Sequence, residues 1–154
     1  MVQVSPDGQT LLLKGQYQGN GNRTPEGVSQ STRQADGTWS LPQPYTQALN
    51  IRNLGLHITR TVSASGTVAL VSGDTLGNIG HSDIYFSLRH PDGSWAPLQS
   101  LGPDINTRGN DQSPFLAPDG KTLYFSSDGH PGYGSNDIFV STRLDDTWQR
   151  WSPP

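Results

Sequence analysis

The side chains able to do chemistry are few and unmatched. The 154-residue chain carries 13 acidic residues, yet Glu26 is its single glutamate. Glycosidases set two carboxylates on either side of the scissile bond. Asp104, Asp111 and Asp128 are the acids on offer, and nothing in the sequence pairs them. A Gly-x-Ser-x-Gly elbow for a nucleophilic serine is missing, as are a His-Glu-x-x-His helix for zinc and a phosphate-binding Gly-Lys loop. Asp74 or Asp128 could lend an oxygen to Ca²⁺, but no alternating ligand run surrounds them. There are no cysteines, which excludes thiolate chemistry and disulfides. These residues point to no cofactor, no metal and no self-contained enzyme.

What would position any functional group is a chain of short strands. Eighteen glycines and twelve prolines punctuate a sequence that is 31% hydrophobic, too broken for a helical bundle and suited to strands joined by tight turns. The net charge of −3 offers no surface for a polyanion, so nucleic acid is not expected as a partner. No apolar run reaches the length of a membrane span, and no charged-then-apolar leader follows Met1. Lysine occurs only at Lys14 and Lys121, while Ser, Thr, Asn, Gln and Gly fill the polar positions. That composition suggests an exported protein, with its export signal outside this stretch.

Three segments repeat. The first is Ser5-Pro6-Asp7-Gly8-Gln9-Thr10-Leu11-Leu12-Leu13, with Asp36-Gly37-Thr38-Trp39 downstream. The second is Ser63-Ala64-Ser65-Gly66-Thr67-Val68-Ala69-Leu70-Val71, then Ser82-Asp83-Ile84-Tyr85-Phe86-Ser87 and Asp92-Gly93-Ser94-Trp95. The third is Ala117-Pro118-Asp119-Gly120-Lys121-Thr122-Leu123-Tyr124-Phe125, then Asn136-Asp137-Ile138-Phe139-Val140-Ser141 and Asp145-Asp146-Thr147-Trp148. Turn glycines 8, 66 and 120 and tryptophans 39, 95 and 148 keep step. Each repeat divides into four strands, with glycine supplying the positive φ of the first turn. The second and third strands are apolar at neighbouring positions, so both sheet faces need cover, as radially packed blades provide. The expected fold is all-β, with three four-stranded antiparallel propeller blades at about 1–45, 57–101 and 111–154.

The phrases Ser-Pro-Asp-Gly, Ala117-Pro118-Asp119-Gly120-Lys121-Thr122-Leu123-Tyr124-Phe125 and Tyr133-Gly134-Ser135-Asn136-Asp137-Ile138-Phe139-Val140-Ser141 resemble the TolB-type, WD-like propeller repeat. The resemblance covers nearly the whole chain and implies a bacterial periplasmic setting, often beside an OmpA-like domain. Blade two departs from it at Ala64-Ser65. Blade one departs where Gly27-Val28-Ser29-Gln30 replaces the Asp-Ile-aromatic strand. The Asp-Gly-x-Trp turns are only superficially similar to the sialidase Asp-box, which places two residues between Gly and Trp.

In such a meander the short first and third turns share one end. The second-to-third-strand loops (14–26, 73–82, 127–135) and the linkers (41–56, 98–113) share the other. Long loops on a rigid scaffold are where binding usually sits. They carry the candidate binding residues Tyr17, Arg23, His81, Arg108, Asn110, Asp111, His130 and Tyr133. The recurring Asp83 and Asp137 read as structural hydrogen-bond acceptors. The tryptophans read as blade packing, and Arg33, Arg89 and Arg143 as turn or tryptophan contacts. Asn22-Arg23-Thr24 fits a glycosylation sequon, a pattern short enough to arise by accident.

The expected function is a non-catalytic binding or scaffold module with a protein or glycan partner. The alternative is the propeller part of a hydrolase whose catalytic residues lie elsewhere. Propellers close with about four to eight blades. Three blades therefore imply either a longer parent chain or association, most simply a homodimer with six blades. Blade three, with Leu123, Tyr124, Phe125, Ile138 and Phe139, is the one expected to need covering.

Overall fold

The computed structural model describes residues 2–5, 7–18, 20, 22–45, 58–74 and 77–154, with only the backbone path at 2, 3 and 25–27. Most of the first linker, 46–57, lies outside the described residues. Two compact units, Met1–Asn50 and Ile51–Pro154, divide the chain. Among the described residues every element is a strand, and each strand pairs antiparallel with its chain neighbour. The first unit is one sheet of four strands, β1 (Val2–Val4), β2 (Thr10–Tyr17), β3 (Arg23–Thr32) and β4 (Gln43–Pro44). The second unit holds two sheets. One is β5 (Ile58–Val62), β6 (Val68–Gly73), β7 (Asp83–Leu88) and β8 (Gln99–Ser100); the other is β9 (Asp111–Leu116), β10 (Thr122–Ser127) and β11 (Asp137–Thr142). These are three consecutive blade meanders.

The repeated turns are built by the same few atoms each time. Gly8, Gly66 and Gly120 take φ near +70° and donate their N–H to the carbonyls of Ser5, Ser63 and Ala117. Glycine pays no Cβ penalty in that conformation. Asp119 accepts from the N–H groups of Lys121 and Thr122 at 2.8 and 2.9 Å and from the Thr122 hydroxyl at 2.7 Å. At the third-strand turns Asp36, Asp92 and Asp145 each accept the N–H two residues on at 2.9 Å. A serine in the third strand then ties down the chain that follows. Ser31, Ser87 and Ser141 donate to the carbonyls of Ser40, Ala96 and Ser152, each at 2.6 Å.

These bonds give the turn aspartates a pH signature. Accepting hydrogen bonds favours the charged form, so Asp7, Asp36, Asp92, Asp119 and Asp145 titrate below the ordinary 3.8, Asp119 at about 2. Between the two values the folded chain binds fewer protons than the unfolded chain. Their stabilisation is therefore full above pH 3.8 and is lost as pH falls through the folded values. Asp83 acts in the opposite sense: burial raises its carboxyl, so its contribution is lost as pH rises. The stability difference between the native chain and Asp119→Asn should shrink as pH is lowered from 4 towards 2. Urea midpoints measured across that range check this, and a constant difference would refute it.

Three expectations change. The third sheet has three strands, not four; where a fourth would pair, Trp151 bridges Arg143 and the Ser152 N–H reaches the Thr142 carbonyl at 2.9 Å. The Trp equivalent to Trp39 and Trp95 is Trp151, because those two bridge Arg33 and Arg89 as Trp151 bridges Arg143. Positions 39, 95 and 151 are evenly spaced at 56 residues, so Trp148 belongs to a lengthened turn. Finally, 14–26 is not a long loop. β2 and β3 run on to Tyr17 and Arg23 as one hairpin, with a register shift between Lys14 and Gln16. The bulge is possible because Gly15 sits at φ +96°, where a Cβ would lie 2.6 Å from the Thr24 carbonyl oxygen. In the same hairpin Val28 and Ser29, within the stretch that departs from the repeat, are buried; the Ser29 hydroxyl donates to the Gly15 carbonyl and accepts the Tyr17 N–H, both at 3.0 Å.

All six residues of β6 in blade two are buried. On one face Val68, Leu70, Ile84 and Phe86 form a core with Leu116, Leu123 and Phe125 of blade three, the linker residues Leu101 and Ile105, and Trp148 and Trp151. Trp148 stacks on Phe86 with centroids 5.5 Å apart and meets Trp151 edge-on at 6.1 Å. The Arg143 guanidinium lies 4.5 Å above the Trp148 ring, and Arg89 lies 5.9 Å from Trp95. Leu123 and Phe125 are thus core residues, and Phe139 packs half-buried against them. Of the five residues expected to need covering on blade three, Tyr124 and Ile138 are the exposed ones.

Candidate functional site

At one end of the second unit three loops are fixed by a shared device. In each, a loop N–H four residues before a strand-opening aspartate is captured by its carboxylate. Asp83 accepts from the N–H groups of Ile79 at 2.7 Å and Gly80 at 3.3 Å. Asp137 accepts from Tyr133 at 2.6 Å and Gly134 at 3.0 Å. Asp111 accepts from the Thr107 N–H at 2.6 Å, the Thr107 hydroxyl at 3.0 Å and the Ser127 hydroxyl at 2.6 Å. Asp83 and Asp111 are almost wholly buried. Burial dominates the environment of Asp83 and raises its carboxyl, with the nearby Asp111 charge adding to the effect.

The loops are also laced to one another. His81 donates its N–H to the Gly109 carbonyl at 3.0 Å, and Asp111 donates to the Ser82 carbonyl at 2.7 Å, giving a parallel bridge between Ser82 and Asn110. Asp128 accepts from the Asn110 N–H at 2.6 Å and the Asn110 side-chain amide at 2.8 Å. Those bonds, with a smaller contribution from His81, hold the Asp128 carboxyl below its ordinary value. Glycines allow this closeness. A Cβ on Gly80 would lie 2.3 Å from the Thr107 carbonyl oxygen, and one on Gly129 would lie 1.8 Å from the Thr107 hydroxyl.

The sequence candidates therefore separate. His81 and Arg108 are exposed on the laced loops, and Tyr133 is fully exposed. Asn110 is part of the lacing through Asp128. Asp111 is buried and its carboxylate is taken up within the fold, which makes it a loop anchor. His130 is half-buried; its Nε2 meets the Ile105 carbonyl at 2.9 Å and its ring packs on Phe125 and Phe139. Tyr17 and Arg23 lie in the first unit, directly opposite each other across the β2–β3 hairpin. Sequence reading recognised Asp83 and Asp137 as equivalents but missed Asp111. The signal was there: Asn106-Thr107-Arg108-Gly109-Asn110-Asp111 has a glycine shortly before the aspartate, like Ile79-Gly80-His81-Ser82-Asp83. Among the described residues no three His, Cys, Asp or Glu side chains gather as a metal site. No helix among them is long and apolar enough to cross a membrane.

The fold and this loop end define a set of antiparallel propeller blades. No protein-family model and no curated protein sequence matches the chain. A solved structure similar to it is that of a periplasmic gluconolactonase from Pseudomonas aeruginosa, at 19% identity and a TM-score of 0.49. The match covers 92% of this chain and 38% of that one, so the chain spans well under half of that protein's length.

Proposed function

We propose that the chain is a non-catalytic β-propeller module of an exported protein, built of TolB-type repeats, that presents the loop end of its second unit to a protein or glycan partner. One observation carries this reading. The aspartates at that end are engaged in holding loops, Asp83, Asp111 and Asp137 through captured N–H groups and Asp128 through Asn110, whereas His81, Arg108 and Tyr133 point to solvent from a fixed backbone. A rigid platform bearing an aromatic ring, a cation and an imidazole can recognise a surface, because little ordering entropy is lost on binding. Carboxylates already engaged with loop donors speak against a glycosidase reading, in which two carboxylates must face the scissile bond.

The test is a glycan array and a cross-linking screen against bacterial envelope proteins, each run with the native chain and with Arg108→Ala/Tyr133→Ala. Ligands of the native chain should lose about tenfold or more in affinity for the double variant, a difference of roughly 1.4 kcal/mol. Equal binding by the variant would move the site elsewhere. Turnover of chromogenic glycosides or esters by the native chain would favour the hydrolase reading.

A further inference from the structure

Blade two and blade three present equivalent faces with opposite fates. By strand register, Leu70, Ile84 and Phe86 of blade two correspond to Tyr124, Ile138 and Val140 of blade three. The first three are at most 2% exposed, because blade three covers them, whereas the second three are 43%, 76% and 49% exposed. Phe115, on β9 opposite Tyr124, extends the apolar stripe at 53% exposure, with the two rings 6.4 Å apart. Uncharged Thr122, Ser126 and Thr142 are its strand neighbours on that face. A soluble sheet that ends at solvent usually carries a charge or a proline there; on this face β10 and β11 carry neither, the Asp137 of β11 lying on the opposite face.

The surface that covers blade two has an open counterpart in the first unit. Blade three covers with Leu116, Leu123, Phe125 and Trp151, each at most 4% exposed. The equivalents in blade one are Val4, Leu11, Leu13 and Trp39, placed by the pairing of Val4 with Leu11 and by the shared arginine–tryptophan bridge. Val4 is 53% exposed, Trp39 38%, and Leu11 and Leu13 are half-buried. The same set in blade two, Val62, Ala69, Val71 and Trp95, is buried. Blade one alone leaves its set open, and blade three alone leaves the complementary face open.

We propose that a second copy of this chain covers the exposed face of blade three with its own blade one, head to tail, repeating the interface between blades two and three. The occupant follows from that interface, since the residues that bury Leu70, Ile84 and Phe86 have position-for-position counterparts on blade one. A head-to-tail contact uses two different surfaces and is satisfied at both ends only when a ring closes. Two copies are the fewest that can satisfy both surfaces of each chain. This inference does not depend on what the loop end binds.

Sedimentation equilibrium at micromolar concentrations should give twice the chain mass of 16.7 kDa. Ile138→Asp and Val4→Asp change exposed residues and should keep the native far-ultraviolet dichroism. Each should sediment as a monomer or shift its dissociation constant at least about tenfold. Mixed together, the two variants should recover pairing, because each retains the face that the other lacks. A native chain that stays monomeric would overturn the proposal and leave blade three to a further blade or another protein. A dimer broken by Ile138→Asp but untouched by Val4→Asp would also overturn it, since that pattern belongs to two blade-three faces meeting each other.

Discussion

Trp148→Ala should destabilise the second unit by about 3–5 kcal/mol, the usual cost of truncating a buried aromatic. For a chain of this length that corresponds to a fall in melting temperature of roughly 10 °C. The ring is 6% exposed and joins three groups: it stacks on Phe86 of blade two, meets Trp151 edge-on and lies beneath the Arg143 guanidinium. Its removal opens a cavity in the core shared by the two sheets of the second unit. Trp148 also has φ +66°, a conformation that costs an L-residue about 1–2 kcal/mol. Trp148→Gly should therefore be less destabilising than Trp148→Ala by about 1 kcal/mol, since glycine takes positive φ freely. Denaturant midpoints of the two variants measure the difference. An alanine variant as stable as the glycine one would mean that the turn relaxes once the ring has gone.

The second large effect is expected at Asp111. Its buried carboxylate satisfies the Thr107 N–H and the hydroxyls of Thr107 and Ser127, and Asp111→Ala would leave those groups unpaired. Charge-assisted bonds and stranded donors of this kind put the loss at roughly 3–5 kcal/mol. Asp111→Asn keeps an acceptor for the Thr107 amide and should cost less than half as much. Amide hydrogen exchange would place the damage. His81 and Asn110, whose N–H groups bond within the laced loops, should lose protection in Asp111→Ala, while the β5–β6 ladder should keep it. Uniform loss of protection would mean that Asp111 supports the whole unit rather than the loop end.

Local hydrogen bonding was the legible part of this protein. A Pro-Asp-Gly turn is closed by the carboxylate and the positive-φ glycine within five residues, so its sequence fixes its shape wherever it falls. The same holds for the N–H captures by Asp83 and Asp137, which span four residues. From these the all-β class and the antiparallel strand order within each sheet followed. The 14–26 segment was misread because its glycine marks a bulge inside a continuing hairpin, and glycine marks turns and bulges alike.

The remainder was decided by contacts between residues far apart in the chain. Alternation along β10 separates Leu123 and Phe125 from Tyr124, but only the approach of blade two makes one pair core and leaves the other residue at the surface. Asp111 looked like a surface ligand because its own neighbours are polar. Its burial comes from Ser127, sixteen residues away, and from the bridge to blade two. Trp148 kept step with the other tryptophans closely enough to pass as their equivalent. Its true role emerged only when Arg143 bridged Trp151 and left Trp148 free to wedge against Phe86. Sequence by itself determined the turns and strands, because their bonds close within a few residues. Tertiary structure decided which faces are covered and which polar groups are consumed, because burial depends on what the rest of the chain brings alongside.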